Sequence, residues 1–403
     1  MNETAPAPRP PLWLLVLITF SGTLAMHMFV PALPAAARDL GASTGAMQLT
    51  ISLYVLGLAF GQLVYGPLSD AFGRRPVLMV GLAIYTLSGL AALLAPGVQS
   101  LIAARLFQAL GGCAGLVLGR AMVRDTATGD DAVRQMALLT LMMLVGPGLA
   151  PLFGGLLAEG FGWRSIFVLL VALGAVGMGF AWWLLPETVQ PRGRLSAASL
   201  AREYRVLLRS PAFLGFAIGG GCATTSLYAF LAAAPFIFTG ALQRSVHEVG
   251  LYLGVLILGM ALGNMVTGRL VGRVPVGRLM LGASALSLAS AILLLGTVLA
   301  DALSVVAAVG SMVVFSIGVG MASPAAVAKA VGVNPKVIGS ASGLYGFAQM
   351  GVGAVCTGLA GLGRDPALAA AIVLVAAGVV AQVAFRIALR WEAPARPSAP
   401  GRI

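Results

Sequence analysis

The chain alternates long apolar runs with short polar breaks. A helix of about 20 apolar residues crosses a bilayer. Twelve runs meet this length: residues 12–36, 46–69, 76–95, 98–122, 132–158, 163–185, 211–239, 246–268, 277–299, 302–328, 337–361 and 367–390. The longest polar stretch, Pro186 to Ser210, separates six of them from the other six. It reads either as a plain charged tether or as a linker with an interfacial amphipathic segment around Leu200–Leu208. The expected organisation is a first bundle over 1–190, a cytoplasmic linker over 191–210, a second bundle over 211–391 and a cytoplasmic tail over 392–403. A weak repeat relates the halves. Gly268-Arg269-Leu270 follows the eighth run as Gly66-Pro67-Leu68 follows the second.

Composition sharpens this picture. The 403 residues are 59% hydrophobic and 9% charged, against about 25% charged in soluble domains. Such a surface must face lipid. The 53 glycines and 22 prolines are tolerated in membrane helices, where neighbours satisfy the freed backbone groups. The first run is long for a signal peptide and is read as a retained first helix.

The charges orient the chain. Arg38, Arg164, Arg244 and Arg364 lie at one set of loops and Arg105 lies inside a run, while every other Lys and Arg lies at the alternate loops or the termini. The positive-inside bias places both termini in the cytoplasm. The net charge of +12 then reflects topology and attraction to anionic lipid. No basic run carries interleaved aromatics, so no nucleic-acid partner is expected. Cys113, Cys222 and Cys356 all fall in apolar runs, with no disulfide or metal pattern.

One loop stands out: Gly66-Pro67-Leu68-Ser69-Asp70-Ala71-Phe72-Gly73-Arg74-Arg75-Pro76. It resembles the loop joining helices 2 and 3 of major facilitator superfamily transporters. Asp70, Arg74 and Arg75 are read as a gate whose charges exchange partners; the plainer reading is a basic turn that fixes topology. Further runs narrow the resemblance: Met28-Phe29-Val30-Pro31-Ala32-Leu33-Pro34; Arg105-Leu106-Phe107-Gln108; Arg120-Ala121-Met122-Val123-Arg124-Asp125; Gly146-Pro147-Gly148-Leu149-Ala150-Pro151; Trp163-Arg164; and Pro186-Glu187-Thr188. Together they are similar to the bicyclomycin and chloramphenicol resistance branch of the drug:proton antiporters. The resemblance implies an all-α membrane protein with twelve transmembrane helices in two pseudo-symmetric six-helix bundles. It implies a proton-coupled multidrug exporter in the bacterial inner membrane, acting as a monomer, with no enzyme activity and no cofactor beyond the proton gradient. Its partners are then a small drug, protons and the bilayer. Export of an endogenous metabolite, such as an amino acid or sugar, is the alternative.

Candidate site residues follow. Arg105 sits mid-span, where a charge costs roughly 2.5–3.5 kcal/mol on insertion scales; Gln108 continues its face. The resemblance assigns Arg105 to proton coupling; the alternative is a structural cation on backbone carbonyls. His27 stands where the family usually carries an acid, and none of the 13 acids falls clearly mid-membrane. Arginine does not deprotonate in proteins, whereas histidine titrates near neutrality. His27, on one face with Thr23, is therefore the candidate proton carrier; the alternative is a neutral histidine bonded to a carbonyl. Pro147, Pro151, Gly154 and Gly155 are read as a hinge in the fifth helix, or as packing alone. Tyr228, Asn264, Tyr345 and Gln349 are candidate drug contacts in the second half, alongside Thr23, His27, Arg105 and Gln108 in the first.

Overall fold

The computed structural model describes residues 10–127, 129–190, 197–334 and 337–392. The linker residues 191–196 and the tail 393–403 lie outside the described residues, as do residues 1–9. Fifteen helices follow in chain order among the described residues: α1 Leu12–Phe29, α2 Leu33–Asp39, α3 Thr44–Phe72, α4 Arg74–Leu93, α5 Val98–Thr126, α6 Gly129–Phe161, α7 Arg164–Leu184, α8 Ala197–Leu208, α9 Pro211–Thr224, α10 Leu227–Phe236, α11 Val246–Leu270, α12 Val276–Leu299, α13 Val305–Gly332, α14 Ile338–Gly361 and α15 Pro366–Trp391. A 3₁₀ turn, Val30–Ala32, joins α1 to α2, and a π-helical turn, Ile237–Ala241, ends α10. Among the described residues ten spans are long and apolar enough to cross a membrane. The other two of the twelve expected runs are α6 and the Gly- and Ser-rich α14. The twelve-span architecture therefore stands.

Local sequence explains the boundaries. Ser43, Ser210, Ser245 and Ser304 each accept a backbone N–H at the start of α3, α9, α11 and α13, and Asp365 caps α15 twice. Pro31 and Pro34 cannot donate to the preceding turn, so the first span breaks into α1, the 3₁₀ turn and α2. The seventh span breaks differently. Thr224 and Thr225 donate their hydroxyls back to the carbonyls of Gly220 and Gly221, at 2.6 and 2.9 Å, and α9 stops there. Side-chain back-bonding of this kind bends a helix.

Packing gathers α1 and α3–α7 into one bundle and α9–α15 into another. Two long seams join them, α3 with α14 and α6 with α11. The second span thus meets the eleventh and the fifth meets the eighth. Adding six to each exchanges the seams, as a parallel six-helix repeat requires. At the end nearest residues 40–43, the 3₁₀ turn and α2 also pack on α10.

Candidate functional site

Arg105 is fully buried on α5. Its guanidinium lies 4.1 Å from the Tyr54 ring centroid, 5.3 Å from Phe29 and 5.8 Å from Phe167. Helices α3, α1 and α7 supply one wall each. The Tyr54 ring is itself fixed, because its hydroxyl donates to the Gly22 carbonyl at 2.6 Å. Nη1 of Arg105 donates to Gln108 Oε1 at 2.7 Å, while Nε, Nη2 and the Gln108 amide nitrogen have no partner. No carboxylate pairs with Arg105 among the described residues. Desolvated cation–π contacts contribute ~2 kcal/mol or more each, comparable to the insertion cost of the charge. The cation is tolerated by π-faces and left unneutralised.

His27 is buried two residues before Phe29, on the last turn of α1. Its Nδ1 lies 2.9 Å from the Thr23 carbonyl oxygen. A carbonyl only accepts, so Nδ1 carries the hydrogen and Nε2 keeps the lone pair that can take a proton. The imidazole meets the Tyr228 ring edge-on, with centroids 6.3 Å apart. This contact crosses from the first bundle to the second. Thr23 enters through its carbonyl; its hydroxyl donates to Phe20 at 3.0 Å.

Tyr228 belongs to a polar cluster at the α9–α10 break. Gln349 donates to the Thr224 hydroxyl at 2.9 Å, and the Thr225 hydroxyl hydrogen is shared between the Gly221 carbonyl and the nearer Gln349 carbonyl, at 2.6 Å. The Tyr345 and Ser226 hydroxyls are buried there without partners. Side chains at Tyr228 and Thr225 press on Gly353 of α14 and the Tyr345 hydroxyl presses on Gly220. The structure therefore brings His27 to Tyr228 and Gln349 to Thr224 and Thr225, while the Tyr345 hydroxyl lies farther back along α9, against Gly220. Asn264 stays apart: it donates to the Met260 carbonyl of its own helix at 3.2 Å, where α11 packs on α13.

The expected gate, which the structure folds as the end of α3 and the start of α4 around Gly73, forms a tight ionic knot. Gly73 has φ +99° and turns the chain from α3 into α4; a Cβ there would also meet Glu187. Glu187 caps α4, accepting from the backbone N–H of Arg74 at 2.8 Å and of Arg75 at 3.1 Å. The Arg74 side chain is 6% exposed as a residue and pairs with Asp70 at 2.6 Å and Asp125 at 2.9 Å. Thr188 donates to the same Asp125 oxygen at 3.3 Å. Arg75 takes another course: it donates to the Trp182 carbonyl at 2.5 Å and lies over the Trp182 ring. Sequence reasoning grouped Asp70 with both arginines; the ion pairs belong to Arg74 alone, and Asp125 and Glu187 complete them. Both acids occur in the runs Arg120–Asp125 and Pro186–Thr188, which was the available signal.

The expected hinge residues line two helix contacts. A Cβ at Gly154 would overlap the Met28 carbonyl of α1, Gly155 lies against Val246 and His247, and the Pro151 carbonyl faces Gly250 of α11. The backbone of α6 is helical throughout; the Pro147 side chain lies outside the described residues.

The sequence model of the Major Facilitator Superfamily matches residues 15–357. An uncharacterized MFS-type transporter of Bacillus subtilis is 30% identical over 378 residues, covering 93% of this chain and 94% of the relative. A bicyclomycin resistance protein homolog of Haemophilus influenzae is 28% identical over 333 residues, covering 82% and 83%. The solved structure of a D-xylose-proton symporter superposes with a TM-score of 0.72 at 13% identity, covering 94% of this chain and 97% of that one. At that identity the likeness speaks for the fold.

Proposed function

Because this multi-pass membrane protein belongs to the Major Facilitator Superfamily, we propose that it is a proton-coupled exporter of small amphipathic drugs, working by alternating access with both termini in the cytoplasm. The observation that carries the reading is the pairing of His27 with Tyr228 across the two bundles. It puts a titratable nitrogen at the repeat interface, where transporters of this build hold their solutes. Aromatic rings and a few polar groups around it suit flat, lipophilic ligands. The bicyclomycin resistance homolog adds support for a drug-like solute.

His27 is neutral when Nε2 is free and positive when it is protonated. Phe29, two residues after His27, stacks on the Arg105 guanidinium. Drug entry from the cytoplasm removes water and favours loss of the His27 proton; return of a proton from outside favours release of the drug. One charge crossing 100 mV supplies about 2.3 kcal/mol. At about 1.4 kcal/mol per decade, one proton sustains a little under two decades of drug gradient. The test is accumulation of chloramphenicol and bicyclomycin in everted vesicles with and without an uncoupler. Uncoupler-sensitive uptake is expected. Uptake of an amino acid or sugar with no drug uptake would favour metabolite export.

A further inference from the structure

Pro67 lies inside α3, and a proline has no N–H for the carbonyl four residues earlier. That carbonyl belongs to Leu63. The Tyr204 hydroxyl of α8 donates to it at 3.4 Å. Helix α14 has a complementary gap: its N-cap residue Val337 makes no side-chain bond, and its first turn holds no acid. Glu203 stands beside it, accepting a hydrogen bond from the Ser340 hydroxyl of the first turn and setting a carboxylate near the positive end of that helix. Adjacent residues of α8 thus hold two helices, one in each bundle.

The rest of α8 fits this placement. Leu200, Glu203, Tyr204 and Leu207 recur at i, i+3, i+4 and i+7 and are buried or half-buried, while Arg202, Arg205 and Val206 are exposed. Leu207 is buried in one core with Phe213 and Phe216. The apolar face therefore lies on protein rather than in the lipid interface. Burial, and then the neighbouring Glu203 carboxylate, raise the Tyr204 phenol above its ordinary pKa, which keeps it a donor.

We propose that α8 is a clasp, with Tyr204 and Glu203 as positioning residues that hold the gate-side ends of α3 and α14 together and bias the balance of access states. These two helices form one of the seams between the bundles, so rocking of one bundle on the other must move these ends. Pro67 also sits in the last turns of α3, three residues before Asp70. The plain-tether reading of the linker does not place these residues anywhere.

The test uses the full chain in lipid nanodiscs with spin labels on Phe72→Cys and Ile338→Cys, both exposed positions; the three native cysteines are buried. Inter-label distances involve no solute, so the outcome is independent of the export reading. Glu203→Gln with Tyr204→Phe is expected to move the distribution toward longer distances. A hydrogen bond of 3.4 Å is weaker than most, so its loss changes the population ratio by at most about fivefold. Pro67→Ala gives the Leu63 carbonyl an ordinary helical donor, so it should erase the effect of Tyr204→Phe alone. An unchanged distribution in the double variant overturns the clasp. So does a Tyr204→Phe effect of equal size with and without Pro67→Ala.

Discussion

Arg74 and Arg105 are both buried, 6% and 0% exposed, yet their surroundings are opposite. Arg74 pairs with Asp70 and Asp125 beside a third acid, Glu187, which caps its own backbone. Arg105 has three aromatic rings and one amide. The first cation is neutralised inside one bundle and ties together α3, α4, α5 and the chain after α7. The second keeps its charge and two unused N–H-bearing nitrogens. A neutralised arginine holds structure; an unneutralised one acts on whatever enters beside it. On the proposed reading, the first belongs to the gate and the second to the solute site.

Substitutions can break this contrast. The largest effect is expected at Arg105. Arg105→Ala should abolish drug transport while the protein still inserts, and Arg105→Lys should recover it only in part, because lysine lacks the planar fork that stacks on rings. Transport and detergent extraction yield measure this. Next comes the knot. Removing one partner of a buried pair costs about 3–5 kcal/mol, less where the pair is solvated. The Asp125 side chain is 19% exposed and that of Asp70 is 49%. Asp125→Asn should therefore lower the melting temperature more than Asp70→Asn. Both should depress transport, with drug binding retained by Asp70→Asn. A smaller effect is expected for Pro147→Ala with Pro151→Ala: binding in detergent persists while turnover in liposomes falls. The smallest is Arg75→Lys, because Arg75 meets a carbonyl and a ring face rather than an acid. Equal losses from Arg74→Lys and Arg75→Lys would dissolve the distinction between them.

Much of this was legible in the chain. Lipid imposes long apolar runs, so twelve spans can be read directly, and a lone Arg105 within one of them is conspicuous. Pro31 and Pro34 announce the break after α1. The break at Thr224 and Thr225 carries no proline and depends on hydroxyls that turn back on their own helix, a choice that tertiary packing makes. The Arg105 cage was hidden for a similar reason. Tyr54, Phe29 and Phe167 look like ordinary packing residues until three helices bring them around one guanidinium. Asp70 stands four positions before Arg74, a spacing the sequence shows, but Asp125 and Glu187 lie 51 and 113 positions away, so spacing alone does not give those contacts. Asn264, polar on an apolar helix, resembles a solute contact in sequence, yet its amide is spent on its own helix.

The contrast leaves one question of chemistry. If export is proton-coupled as proposed, and Arg105 keeps its charge and cannot release a proton, the transported proton must sit on another group. His27 has the free Nε2, the burial and the contact with the second bundle. The most direct measurement is uphill drug flux by reconstituted His27→Gln protein against an imposed pH gradient, with drug binding measured on the same preparation. The predicted result is binding close to that of the unaltered protein and no pH-driven accumulation, with His27→Asp restoring some of it. Accumulation by His27→Gln equal to that of the unaltered protein would contradict the account and move proton coupling to another residue.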